Sequence, residues 1–409
     1  MVETLIPELG SLPHDTVVYL HDGSFHGRSL LAVGEAHSIR FQSNTQLKAI
    51  DHFLEQHKDE WKVALFGYNL KNSIEDLSSK HPENTDIPES LILVPQMLFS
   101  IERGNIEVIS GHSNPQLSEV LKSILEPSDS FTQEAVELYP RLTREDYLED
   151  LGKVQQHIQR GDIYEMNYCQ EFFNESADIQ PFETYKKLHY LTRAPFSVFI
   201  RTNASHLLCG SPERYLKRIG DQLISQPIKG TTRRGNTPEE DELLKEALRA
   251  DEKERGENIM ITDLVRNDLG RIAQPNSVNV DELCEIYSFE TVHQMISTVS
   301  ALAKKELKFS ELLQATFPMG SMTGAPKVRS MQLIDEIERS DRGLYSGSVG
   351  YIEPNGNFDF NVVIRSLLYN SESHYLSARV GGAITALCDP EKEYEECLLK
   401  ADALFKALR

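Results

Sequence analysis

The sequence predicts an α+β fold with a large, mostly antiparallel sheet. Three observations carry this. Strand-like and helix-like runs come in blocks, without the strict alternation of a parallel βαβ fold. Gly220-Asp221 and Asn355-Gly356 sit between alternating runs as hairpin turns do. Several helical runs carry their own start and stop residues.

Residues 1 to about 130 mix short β-like runs (TVVYLHDG, KVALFGYNL, ESLILVPQMLFSIERGNIEVIS) with one helix expected near 45–57. A polar stretch, residues 114–143, joins this part to the rest. In REDYLEDLGKVQQHIQRGD, residues Tyr147, Leu151, Val154 and Ile158 share a helical face, and Gly161 stops the helix. FSVFIRT, HLLCGS and RYLKRIGDQLISQPI then alternate as strands do. Thr237-Pro238-Glu239-Glu240 supplies a cap, a first-turn proline and a capping-box glutamate, starting a helix expected to continue through ENIMITDLVRND. Further helices are expected from about 309 and 326. YSGSVGYI, FDFNVVIRSLLY and YLSARVGGAITAL form a final antiparallel set, and Asp389-Pro390 opens a last helix over 390–408.

Composition narrows the function. The 409 residues carry a net charge of −21, which repels phosphate backbones and argues against nucleic acid. An apolar content of 40% supports a real core. The five cysteines form no CxxC pair, as expected in a reducing compartment. MVETLIPELGSLPHDT lacks the pattern of a secretory signal, and no apolar run approaches the roughly 20 residues that span a bilayer. A soluble, cytoplasmic protein without a membrane partner is the expectation.

Six features could do chemistry. Glu254 and Glu257 lie three apart, as do Glu393 and Glu396, so on helices each pair shares a face. A solvated acidic face explains either pair alone. A magnesium site explains both, since magnesium takes a few carboxylates and completes its shell with water and an anionic substrate. FPMGSMTGAPKVRSM has glycines and Lys327 but lacks the Gly-Lys-Ser/Thr of a phosphate loop; either it is a tight loop entering a helix, or its amides and Ser321 line a pocket. The adjacent glycines in RVGGAITA suit close approach of a ligand to a strand. In NVVIRSLL, Arg365 falls in an alternating strand, as a structural ion pair or a carboxylate clamp. Glu213 in GSPERYL is a surface turn residue or, if buried, a general acid with a raised pKa. Lys229 in SQPIKGTTRRG is a solvated charge, an anion anchor or a reacting amine.

Eight segments in order resemble the chorismate-utilising enzymes: GDIYEMNYCQEF, GSPERYL, QPIKGTTRRG, DEKERGENIMITDLVRNDLGRIA, FPMGSMTGAPKVRSMQLIDEIE, RGLYSGSVGYI, FNVVIRSL and GGAITALCDPEKEYEECLLKADALF. They span about 160–405; the N-terminal third matches poorly. The resemblance is strongest to the aminodeoxychorismate-forming branch, which feeds para-aminobenzoate and folate synthesis. It implies a single domain over 1–409 with two large antiparallel sheets and flanking helices. Residues 1–140 would be a reduced N-terminal region adding sheet, and 141–409 the catalytic core.

It also implies the site. Glu257 and Glu396 would ligate Mg2+ directly, with Glu254 and Glu393 assisting, and the ion would hold the ring carboxylate of chorismate. Arg365, Tyr345 and the backbone of Gly381, Gly382 and Ala383 would hold the enolpyruvyl carboxylate. Gly230, Thr231 and Ser321 would line the ring site, and Glu213 would protonate the departing 4-hydroxyl. Anthranilate synthases usually carry alanine where Lys229 stands. A lysine there suits two allylic displacements, attack at carbon 2 and then addition of ammonia at carbon 4, and requires an unprotonated amine. Burial, with Arg233 and Arg234 if they point inward, would lower its pKa.

Two departures stand out. Glu165 replaces the usual glutamine of amine-forming relatives, and its expected role is to deprotonate or orient Lys229. Gln294, beside His293, stands where anthranilate synthases place a histidine that aids pyruvate elimination. No glutaminase segment is recognisable, so a separate glutamine amidotransferase subunit is implied as the ammonia source, with a lyase acting afterwards. Anthranilate synthase component I and a non-catalytic chorismate-binding regulator are the competing readings.

Overall fold

The computed structural model describes residues 15–21, 23, 28–41, 47–82, 84–102, 105–111 and 134–409. Most of the polar connection expected over 114–143 lies outside them. The expectation of α+β holds. Among the described residues every strand pairing is antiparallel, and nineteen strands join in one hydrogen-bonded network where two sheets were expected. Two large apolar cores and one small one lie against that network. One large core contains Phe66, Phe317 and Phe360; the other contains Tyr147, Phe199 and Leu404.

The N-terminal strands are stitched into the rest. Thr16–Leu20 pairs with Ser29–Phe41 on one side and with Phe196–Thr202 on the other. Lys62–Phe66 pairs with Ser90–Glu102 and with Ser348–Ile352. The helix expected near 45–57 spans Lys48–Gln56.

Local chemistry set most boundaries. Helix Arg144–Arg160 starts on a capping box between Thr143 and Asp146 and stops at Gly161, whose φ of 82° is left-handed. Gly220-Asp221 joins strands Arg214–Ile219 and Gln222–Gln226. Helices also occupy Phe309–Thr316, Lys327–Ile337 and Pro390–Ala407.

Two expectations need correction. The helix beginning after Thr237 ends at Ala250, and a second one runs from Glu252 to Ile272. Asp251 breaks it by leaving helical dihedrals and accepting a hydrogen bond from the Glu254 amide, which makes it a cap. FDFNVVIRSLLY is likewise not one strand: it divides into Phe358–Asn361 and Ser366–Asn370. Between them the Val362 amide donates to the Glu213 carbonyl and the Val363 amide to that of Gly347, so the chain leaves the ladder. Arg365 takes a left-handed φ of 50° there, and the expected alternation of strand faces does not govern it.

Three features position the site. Strand Tyr375–Thr385 pairs from Leu376 onward with Glu165–Asn174, setting Thr385 opposite Glu165. Strand Ile228–Arg233 pairs with Val292–Leu302, but the register shifts between Ile228 and Thr231. The last helix, Pro390–Ala407, packs on strand Tyr375–Thr385, and helix Glu252–Ile272 packs on the Val292–Leu302 side. No helix among the described residues is long and apolar enough to cross a membrane.

Candidate active site

The register shift in Ile228–Arg233 releases Lys229 and Gly230 from regular pairing. Gly230 has φ +82°, and a Cβ there would lie 3.1 Å from both Cβ and Oε2 of Glu254. Only glycine suits that conformation so near the helix. Lys229 is buried, and its Nζ donates to Glu165 Oε1 at 3.0 Å. Burial alone would lower the pKa of this amine. The negative charges of Glu165 and Glu257 outweigh burial and hold it above its ordinary value. Arg233 and Arg234 do not push it down as expected: Arg233 pairs with Glu240, and Arg234 pairs bidentately with Asp241. Both carboxylates belong to helix Pro238–Ala250, so both guanidinium charges are already paired.

Lys229, Gly230 and Thr231 form one wall of a cavity of about 470 Å³. Glu213 forms another, from the turn before strand Arg214–Ile219. Burial pushes its carboxyl up to about 7, against the opposing pull of Lys229 and Arg365. Such an acid is partly protonated near neutrality and can donate a proton. Arg365 also faces the cavity; burial lowers its pKa while Glu213 opposes that. Tyr345 and Ser321 complete this side, with the Ser321 carbonyl held by Asn167 Nδ2 at 3.2 Å.

Opposite them run Gly381, Gly382 and Ala383. A Cβ at Gly381 would sit 2.2 Å from the Tyr168 carbonyl oxygen, so this stretch of strand depends on glycine for its close packing. Of the residues expected at the site, Glu165 alone does not line the cavity; it is buried behind Lys229.

The four glutamates converge from two helices. Glu254 and Glu257 lie on Glu252–Ile272, Glu393 and Glu396 on Pro390–Ala407, and all four line the cavity. Lys253 lies among them, which the sequence analysis missed. Its Nζ is 2.6 Å from Glu393, 3.8 Å from Glu257 and 3.8 Å from Glu396. Burial raises Glu257 to about 8, although Lys229 and Lys253 pull the other way. Burial also raises Glu254 and Glu393. Glu396 differs: burial acts on it too, but Lys400 and Lys253 draw its pKa below the usual value. The Lys400 ammonium is 2.8 Å from it.

This donor set fits magnesium. It consists of hard carboxylate oxygens. Oε1 of Glu257 is buried without a hydrogen bond, and three of the carboxylates already gather around one positive charge.

A family model described as chorismate binding enzyme matches residues 16–406. The chain belongs to the chorismate-binding enzyme family. Aminodeoxychorismate synthase component 1 of Escherichia coli (strain K12) is 36% identical to it over 356 residues, which cover 85% of this chain and 76% of that protein. The chloroplastic aminodeoxychorismate synthase of Arabidopsis thaliana is 41% identical over 298 residues, 72% of this chain. The match spans only 32% of that plant protein's length. Among solved structures, anthranilate synthase component I from Streptococcus pneumoniae TIGR4 aligns with a TM-score of 0.79 at 24% identity, covering 93% of this chain and 92% of that one. MenF, the menaquinone-specific isochorismate synthase from Escherichia coli, also gives 0.79, at 17% identity over 100% of this chain and 92% of its own. These two likenesses show the fold.

Within this chorismate-binding enzyme, the paired positions 293 and 294 separate cleanly. Gln294 lines the cavity, and neither atom of its buried side-chain amide has a hydrogen-bond partner. His293 turns away, 3.0 Å from Asp241 and 2.8 Å from Ser288 Oγ. The strand's twofold period forces that choice, so the cavity carries a glutamine and no histidine at this point. Arg379 is a second cavity residue that the sequence analysis missed, anchored by Glu171 at 3.0 Å. It is two and four residues before Gly381 and Ala383, a period-2 signal that could have found it.

Proposed function

We propose that this protein aminates chorismate at ring carbon 4 with ammonia, giving 4-amino-4-deoxychorismate for para-aminobenzoate and folate synthesis. The observation that carries this reading is a buried lysine in the cavity wall, hydrogen-bonded to a carboxylate and sharing the cavity with a glutamic acid poised near neutrality. The names of the Escherichia coli and Arabidopsis thaliana relatives support it.

Lys229 passes a proton to Glu165, 3.0 Å away, and the freed amine attacks ring carbon 2. The ring double bond shifts, the bond from carbon 4 to its hydroxyl breaks, and Glu213 supplies the proton that lets water leave. Ammonia then adds at carbon 4, the double bond shifts back, and Lys229 departs with the electron pair of its bond to carbon 2. Glu213, now a carboxylate, takes a proton from the new ammonium. Arg365 and Tyr345, with the strand at Gly381–Ala383, orient the enolpyruvyl carboxylate, while Gly230, Thr231 and Ser321 shape the ring site. Glu257 and Glu396, assisted by Glu254 and Glu393, would hold Mg2+, which supplies positive charge to the ring carboxylate when bound. Gln294 offers no titratable group to drive pyruvate loss, consistent with a product that keeps its side chain.

The name component 1 of the Escherichia coli relative suggests a second component. In this reading it is a glutamine amidotransferase subunit delivering ammonia, with a lyase downstream. The five buried free cysteines suit the cytoplasm.

Incubation with chorismate, magnesium and ammonium, followed by mass and fluorescence analysis, tests the reading. The expected product retains the enolpyruvyl group. Anthranilate would overturn it, and no turnover at high ammonium would favour a regulator. Glu165→Gln should slow turnover and move its pH profile; full activity with an unchanged profile would remove Glu165 from proton transfer.

A further inference from the structure

His37, His57 and Glu60 form a cluster that the proposed reaction does not use. One ligand-capable atom from each lies within 4.8 Å of the other two. They come from three places in the fold. His37 is on strand Ser29–Phe41, His57 is the C-cap of helix Lys48–Gln56, and Glu60 precedes strand Lys62–Phe66. None of them lines the catalytic cavity.

The cluster is held in place from several sides. The His57 ring packs on Phe53, with centroids 4.6 Å apart, and Phe53 is buried. The His57 amide donates to the Phe53 carbonyl at 3.1 Å. On its other contact the ring stacks on His37, with centroids 4.6 Å apart and planes at 30°. Glu60 Oε2 lies 2.7 Å from His57 Nδ1. A metal ion here would replace the hydrogen between this ring nitrogen and the carboxylate and take both atoms as ligands. Carboxylate-only sites favour magnesium, whereas imidazoles favour zinc, nickel and copper(II). Three protein ligands would leave coordination positions for water, unlike a closed four-ligand structural site.

We propose that His37, His57 and Glu60 bind a borderline divalent metal ion of the zinc, nickel or copper(II) class, at a site distinct from the glutamate cage. The ion ties the strand that carries His37 to the end of the helix that carries His57. It requires deprotonated imidazoles and releases protons on binding.

Trp61 follows Glu60 and is the chain's one tryptophan, so its fluorescence reports on this site. Full-length protein would be titrated with Ni2+ or Cu2+ in excess Mg2+, with Zn2+ as competitor. Saturable quenching by one equivalent in the micromolar range, relieved by Zn2+ and by a chelator, is expected. His37→Ala should weaken binding by at least about tenfold, as ligand-shell losses do. His37 is exposed, so that variant tests the site without opening the core. His57→Ala should act likewise, with circular dichroism reporting whether it folds. Glu257→Gln should leave the quenching unchanged. Quenching that survives His37→Ala, needs millimolar metal, or is displaced by Mg2+ would overturn the proposal.

Discussion

Two lysines in one cavity meet their carboxylates in different ways. Lys229 sits on an irregular strand, is buried, and hydrogen-bonds one carboxylate, Glu165. Lys253 sits in the first turn of a helix, is half-buried, and pairs with three carboxylates drawn from two helices. Each is held protonated by its surroundings. The first has a single acceptor in line to take its proton. The second has several, all of which a divalent cation would also attract. In the proposed reaction the first amine must react, and the second ammonium must yield its place to the cation.

The sharpest way to break this contrast is Lys229→Ala. It should abolish amination at carbon 4 while leaving Mg2+ binding measurable by calorimetry; full activity would remove the covalent route. Next in size is Glu213→Gln, expected to slow turnover by about 10²–10⁴-fold, the usual range for a general acid. Because the Glu213 carboxyl titrates near 7 and must carry its proton to act, the unmutated enzyme's rate should fall as pH rises through that value. That limb of the profile should vanish in the variant. Lys253→Met should have a smaller effect of opposite sign: calorimetry should show Mg2+ binding several-fold tighter, since a competing cation is gone. Weaker binding would mean that Lys253 builds the cage. Smallest is Gly230→Ala, which forces a side chain into left-handed backbone and should cost about 1–2 kcal/mol of stability in denaturant titration.

Much of this was legible in the sequence. Gly161 and Thr237 announced helix ends through chemistry local to a few residues. The i, i+3 spacing placed Glu254 with Glu257 and Glu393 with Glu396, and the eight ordered segments brought both pairs to one site. The failures came where long-range contacts decide. Asp251 looked like one more acidic residue in a helix, but as a cap it divides that helix. Arg365 looked like a strand residue until the backbone of Val362 was taken up by Glu213. Arg233 and Arg234 would have acted on Lys229 had they pointed inward, but nearby acids on the following helix claimed them. Lys253 had a local signal, since it lies four residues before Glu257 as Lys400 lies four after Glu396. Its bond to Glu393, 140 positions away, had none.

The closeness of Gly230 to Glu254 brings the two lysines' neighbourhoods together. The backbone beside Lys229 runs so near the Glu254 side chain that a Cβ at Gly230 would lie 3.1 Å from it. A movement of the acidic helix when its charges are neutralised would be transmitted one residue along the strand to Lys229. In the proposed reaction, coupling between the cation and the Lys229 amine would need no hinge or lid. The absence of a side chain at Gly230 sets how near this strand and the acidic helix can come.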